Sequence, residues 1–384
     1  MDRAVREAPG RVIYLDYQAT TPLAPEVAAA MRPWLETGFA NPHSSHRMGR
    51  EAAAAVEAAR ERLAEALGSG GRGQVYFTSG ATEAINWALK GAATRLPPDR
   101  RRIVTLATEH AAILDTVAYL GEQGLEVEIL PVAPDGLVEL AALEAAVDGR
   151  TGLVAAMLVN NEIGVVQPVE GIAAIARAAG ALFLCDAVQG LGRVPIPLHA
   201  CDMVAVSAHK VHGPKGIGAL WVREGVALEP LLHGGGQEGG LRSGTLSPAL
   251  CVGFGEAARL VVEGAVEDRD HVERLWDRAL ERMSGWLLNG SAERRYHGNL
   301  NLRREGVDSA RLISELRSIA FSAGSACASG SGRPSHVLAA LGLSDREARS
   351  SIRLGFGRYT TEAELDEALG LIDSAASRQL SFAA

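Results

Sequence analysis

Residues 74–91 read QVYFTSGATEAINWALKG. The apolar and aromatic run Val75, Tyr76, Phe77 predicts a short strand, Gly80 a tight turn, and the residues from Ala81 a helix. A strand that turns straight into a helix leaves the first backbone N–H groups of that helix unpaired, here with the Thr82 hydroxyl beside them. Such a turn suits a phosphate group. The plainer reading is that Thr78, Ser79 or Thr82 merely caps the helix, as these residue types usually do.

On either side of this stretch the chain alternates short apolar runs with helical patterns: RRIVTL then AAILDTVAYLGEQG, LEVEIL, GLVAAMLV then GIAAIARAAG, and ALFLC. That rhythm predicts an α/β fold with a mostly parallel sheet, whose ligands bind beyond the carboxyl ends of the strands. After about residue 256 the pattern changes to a long charged helix, VVEGAVEDRDHVERLWDRALERM, and a shorter strand-and-helix region. The expected division is a large ligand-binding domain over 13–256 and a smaller α+β domain from 1–12 and 257–384, which carries Cys327. The cluster HGGGQEGGLRSGT at 233–245 is expected to form a special loop serving a ligand or a subunit contact.

Composition narrows the function. The 384 residues are 47% hydrophobic and 22% charged, ordinary for a globular protein. A net charge of -8 gives no electrostatic reason to expect nucleic acid or an anionic membrane as a partner. No apolar run has the length of a signal peptide or a membrane span, so a cytoplasmic protein is expected. The cysteines Cys185, Cys201, Cys251 and Cys327 lie far apart, which suits reduced thiols better than a disulfide framework or an intrinsic metal site.

The polar residues after the apolar runs carry the chemistry. In DMVAVSAHKVHGPKGIGAL (202–220) a strand ends in Ser207, Ala208, His209 and Lys210. A lysine there is desolvated, its pKa falls, and it can form a Schiff base with an aldehyde. Asp186, directly after ALFLC, can pair with a protonated pyridine nitrogen, and Gln189 can hydrogen-bond a phenolic oxygen on the same ring. Phosphate turn, Asp186 and Lys210, in that chain order, form the minimum set for pyridoxal 5′-phosphate. His110, in TEHAAILDT, either caps a helix or stacks on the cofactor ring, and stacking is preferred. Asn160 and Asn161 both follow GLVAAMLV; Asn161 is preferred as the contact to cofactor or substrate carboxylate. Arg353 interrupts an apolar segment and needs an anion, either a substrate α-carboxylate or a protein carboxylate. Cys327, in FSAGSACASGSGRPSH, lacks the apolar neighbours that would bury it and is expected on a mobile loop, whereas Cys185 and Cys251 read as buried.

With these residues in place, the chain resembles the NifS/IscS-like cysteine desulfurases of the class V aminotransferase group, a PLP-dependent transferase fold of the type I aminotransferase kind. The likeness runs from YLDYQATTPLAPEV to SSIRLGFGRYTT through NPHSSHRMGR, FTSGATEAINWALKG, TEHAAILD, NNEIGVVQPV, CDAVQGLGR, SAHKVHGPKGIGALWV, GGGQEGGLRSGT and GSACAS. The resemblance implies that Lys210 binds the cofactor covalently, Asp186 and Gln189 engage its ring and His110 stacks on it. Ala81, Thr82, Ser207 and His209 would hold its phosphate, and Asn161 and Arg353 the substrate. Thr245 would reach the phosphate of a neighbouring subunit, making an obligate homodimer with shared sites. L-Cysteine would lose its sulfur to Cys327 as a persulfide, leaving L-alanine, and an Fe–S scaffold or other acceptor would take the sulfur, Cys327 transiently sharing a cluster with it.

Three departures bear on that acceptor. Gly239 stands where the family usually has arginine, Arg333 where it often has an acidic residue, and the chain ends soon after RYTT, without the family's longer tail. A selenocysteine lyase or another class V aminotransferase would need the cofactor set without a cysteine on a mobile loop. A silent scaffold protein would be expected to lack Lys210 or Asp186.

Overall fold

The computed structural model describes residues 12–323 and 335–383. Seven strands form the central sheet: β1 Gly73–Thr78, β2 Arg102–Leu106, β3 Glu126–Leu130, β4 Thr151–Met157, β5 Leu182–Asp186, β6 Met203–Ser207 and β7 Gly218–Arg223. Their order is β1-β7-β6-β5-β4-β2-β3. Only β7 runs against its neighbours, so the other six carboxyl ends open along one edge. This is the mostly parallel α/β sheet the alternation predicted.

Side-chain alternation gives the large sheet a core of two layers. Phe77, Val104, Val154, Phe183, Val204 and Trp221 point to one layer with helices Arg47–Ala66, Val169–Ala178 and Pro248–Glu263. Tyr76, Ile103, Leu153, Leu184, Met203 and Leu220 point to the other, with helices Ala81–Arg95 and Ala111–Glu122. Strands covered on both faces have no need of a polar side, which is why β4 and β6 are buried throughout and read as unbroken apolar runs.

A second core surrounds a three-stranded antiparallel sheet of Leu287–Leu288, Asn299–Arg303 and Ser351–Gly355, covered by helices Ala265–Arg282 and Glu362–Ala383. The single long helix expected from residue 261 is two helices. Gly264 separates Pro248–Glu263, which serves the large core, from Ala265–Arg282, which serves the small one. A Cβ at Gly264 would lie 3.1 Å from both Arg358 Nη2 and the Leu260 carbonyl, so the chain turns where only glycine fits easily. Ile13 and Leu15 also belong to the second core, with Ile13–Tyr14 pairing in parallel with Ile319–Ala320. On this packing we propose that the large unit starts after Asp16 rather than at residue 13.

The glycine cluster forms no strand; Gly236, Gly239 and Gly240 take positive φ, as does Glu238 at 51°. Glu238 is pinned there by its carboxylate, which accepts from the Phe77 N–H at 2.8 Å and from both Arg60 Nη atoms at 2.8 and 2.7 Å. Those bonds offset the backbone strain and tie the loop to β1. Among the described residues no helix is long and apolar enough to cross a membrane, and no cluster of three or more His, Cys, Asp or Glu is placed to hold a metal.

Candidate active site

A cavity of about 1000 Å³ opens at the carboxyl edge of the sheet. It collects Ala81, Thr82, His110, Asn161, Asp186, Gln189, Ser207, His209, Lys210 and Arg353, drawn from five strand ends and from the second core. Cys327 and Arg333 lie outside the described residues. Thr245 does not line this cavity in its own chain and is exposed.

One end of the cavity is the turn after β1. Thr78 Oγ1 donates to the Gly80 carbonyl at 2.9 Å, and the Ser79 N–H donates to Glu83 Oε2 at 2.8 Å. Among the described residues no side chain caps the helix that follows, so the plainer capping reading of Thr78, Ser79 and Thr82 does not hold. Its first-turn N–H groups can therefore serve an anion, with Ser79 and Thr82 at the wall. Gly218, at the start of β7, makes the turn possible: a Cβ there would meet Gly80 C at 2.6 Å and Ala81 N at 2.8 Å. Ser207 and His209 complete this end. Burial, with Lys210, Lys215 and Arg193 nearby, lowers His209 to about 4, so its imidazole is neutral at physiological pH.

Lys210 sits just past β6. Burial, reinforced by the charges of Arg193 and Arg353, lowers its pKa to about 7. Its Nζ donates to the carbonyls of Gln18 at 2.5 Å and Ala19 at 2.8 Å, while Arg193 Nη2 holds the Lys210 carbonyl at 2.9 Å. The amine is thus aimed by neutral acceptors, and the charges of Asp16 and Asp186, which favour its protonated form, are outweighed by burial and the two arginines.

Asp186 ends β5 and is buried; burial raises its carboxyl, opposed by the Val188 N–H at 2.9 Å and by His110 and Lys210. Gln189 is held by Gln18 O at 2.9 Å and by Arg193. His110 meets the capping reading. Its Nδ1 accepts the Ala112 N–H at 3.0 Å, capping helix Ala111–Glu122, and its ring still lines the cavity. The cap places any ring proton of the neutral imidazole on Nε2.

Asn160 and Asn161 separate cleanly. Asn160 is saturated, donating to the Thr108 carbonyl at 2.8 Å and accepting from the Glu162 and Ile163 N–H groups at 2.8 and 3.0 Å, so it shapes the turn. Asn161 lines the cavity. Arg353, 1% exposed, meets a protein carboxylate: Nη2 donates to Asp16 Oδ1 at 2.7 Å and Nη1 to the Asn161 carbonyl at 3.1 Å. Its Nε has no partner among the described residues.

Sequence reading missed several wall residues. Gln18, Ala19 and Thr20 line the cavity, although they follow a short apolar run as the better-recognised residues do. Glu162 and His336 also line it. Burial raises the Glu162 carboxyl, which accepts from Ser335 Oγ, and His336 Nε2 lies 2.9 Å from the Glu109 carbonyl. Nothing local in the sequence marks these two, because their contacts join segments more than 150 residues apart.

The donor set fits pyridoxal 5′-phosphate. An uncapped helix start faces the phosphate end, a buried carboxylate without a cationic hydrogen-bond partner suits a pyridinium, and a lysine of depressed pKa suits an aldehyde. These features define an α/β enzyme built for that cofactor, and similarity to known proteins agrees. The aminotransferase class-V family matches residues 13–368, and the chain belongs to it. The chain is 47% identical over 371 residues to the cysteine desulfurase IscS of Rickettsia akari (strain Hartford), covering 94% of this chain and 90% of that protein. The IscS of Rickettsia bellii (strain OSU 85-389) is 46% identical over the same length. Among solved structures, a NifS-like protein superimposes with TM-score 0.89 at 37% identity, covering 95% of this chain and 99% of that one. SspA in complex with cysteine gives 0.80 at 35% identity, covering 91% and 99%.

Proposed function

We infer that the protein is a pyridoxal 5′-phosphate-dependent cysteine desulfurase. The observation that carries this reading is Lys210, half-buried and brought to a pKa of about 7, sharing one cavity with Asp186 and the uncapped helix start, in a chain so close to desulfurases over its length. When bound, the cofactor supplies an aldehyde for the substrate's amino group and a ring that accepts electrons from Cα.

The protein's own residues would do the rest. Ala81, Thr82, Ser207 and His209 would hold the phosphate, Asp186 would keep the ring nitrogen protonated, and Gln189 and His110 would orient the ring. Lys210, neutral in part at physiological pH, would take the Cα proton of L-cysteine, and Asn161 and Arg353 would hold the substrate. The Cys327 thiolate would attack the substrate sulfur. A sulfur–sulfur bond forms as the Cβ–S bond breaks, and the electron pair of that bond stays on carbon, which is protonated and leaves as L-alanine. Thr245, exposed on its own chain, would complete the site of a second copy in a homodimer. The persulfide would pass to an Fe–S scaffold or another acceptor in the cytoplasm.

The test is Cys327→Ser. Cofactor content and L-cysteine binding should persist, while alanine and protein persulfide, followed by mass spectrometry, fall by orders of magnitude, because a serine hydroxyl lacks the thiolate's nucleophilicity. Release of sulfide and alanine at the parent rate would overturn the assignment of Cys327.

A further inference from the structure

Arg353 is a fully buried guanidinium whose five N–H groups are only partly used. Nη2 donates to Asp16 Oδ1 at 2.7 Å and to Ser322 Oγ at 3.3 Å, and Nη1 donates to the Asn161 carbonyl at 3.1 Å. That leaves Nε and one hydrogen of Nη1 without a partner among the described residues, on a side chain that lines the cavity. Asp16 Oδ1 in turn accepts from Ser322 Oγ at 3.0 Å, so the same oxygen is fixed by both groups. Asp16 belongs to a short segment that reaches the cavity twice more, through the Gln18 and Ala19 carbonyls on Lys210 Nζ. It does not itself line the cavity.

We propose that Asp16 is a positioning residue for recognition of the substrate's α-carboxylate. By occupying Nη2 it fixes the plane of the Arg353 guanidinium and leaves the second hydrogen of Nη1 as the donor for the incoming carboxylate, since Nε is enclosed. The proposal rests on the reading of Arg353 as the carboxylate-holding residue. A second physical consequence supports it: Arg353 is buried against a half-buried Asp16, and an arginine there without its counter-ion would carry the desolvation cost alone and turn toward other acceptors. The geometry therefore makes selectivity for a free α-carboxylate depend on a residue that never touches the substrate.

The experiment compares L-cysteine with L-cysteine methyl ester, which lacks the carboxylate charge, on the holoenzyme with a thiol reductant. Asp16→Asn should raise KM for L-cysteine about tenfold with kcat changed far less, and leave KM for the ester within about twofold, so the preference for the acid shrinks about tenfold. Asp16→Glu, which keeps the charge but shifts the oxygen, should lie between. Equal effects on acid and ester, or an unchanged KM for both, would overturn the proposal; so would loss of the folded holoenzyme in both variants, which would make Asp16 a residue of structure only. Arg353→Gln separates the two layers. If it preserves the preference for the acid, the reading of Arg353 fails; if it removes that preference while Asp16→Asn does not, only the role of Asp16 fails.

Discussion

Lys210 enters the cavity from the end of β6, and Arg353 enters from the strand Ser351–Gly355 of the second core; both are cations withdrawn from water. Their partners differ in kind. Among the described residues Lys210 Nζ hydrogen-bonds only the neutral carbonyls of Gln18 and Ala19, and burial with the positive charges of Arg193 and Arg353 outweighs Asp16 and Asp186 to bring its pKa to about 7. Arg353 has a carboxylate at 2.7 Å. A desolvated amine hydrogen-bonded to neutral groups is prepared to give up its proton and act as nucleophile or base, whereas a guanidinium hydrogen-bonded to a carboxylate is prepared to stay charged and bind an anion. One cavity thus holds a chemical cation and a binding cation, and each core supplies one of them.

The sharpest way to break this contrast is to make the first cation permanent. Lys210→Arg keeps a positive charge in the same place but cannot lose its proton at working pH, so alanine production from L-cysteine should fall at least about a thousandfold. Turnover near the parent rate would mean that the amine of Lys210 takes no part in the reaction.

A milder probe is pH. A lysine lowered from 10.5 to about 7 is mostly neutral above pH 7 and mostly protonated below it. The rate at which the cofactor-free protein takes up pyridoxal 5′-phosphate, followed by absorbance, should rise with pH through about 7 and level off well below pH 10. A rate still climbing steeply between pH 9 and 10 would place the amine near its ordinary value and dissolve the difference between the two cations.

The smallest effect sharpens the contrast by leaving both cations in place. Gly218→Ala pushes a methyl group against the backbone of Gly80 and Ala81, so the turn must shift while Lys210 and Arg353 keep their partners. Cofactor affinity, measured by equilibrium dialysis, should weaken about tenfold, with about 1–3 kcal/mol lost from folding stability. Unchanged retention would show that the turn after β1 does not bear on the phosphate.

Much of this was legible in the sequence because the relevant signals are local. A parallel sheet covered on both faces demands continuous apolar strands, and its ligand edge lies where those strands stop, so Asp186, Lys210, His110 and Asn161 could be found by reading one or two residues past each run. Apolar neighbours in the sequence likewise marked Cys185 and Cys251 as buried, and both are.

Other features depended on residues far apart in the chain. That Arg353 is shared between Asp16 and the cavity, that Glu162 meets Ser335, and that the expected helix after residue 260 divides at Gly264 between two cores all follow from segments brought together only by folding. The sequence by itself determined the sheet, its ligand edge and the chemical types gathered there, since periodicity and residue chemistry are properties of short stretches. Only the tertiary structure decided the partner of each charge, and hence which buried cation can lose its proton, because pairing and desolvation depend on distances across the fold.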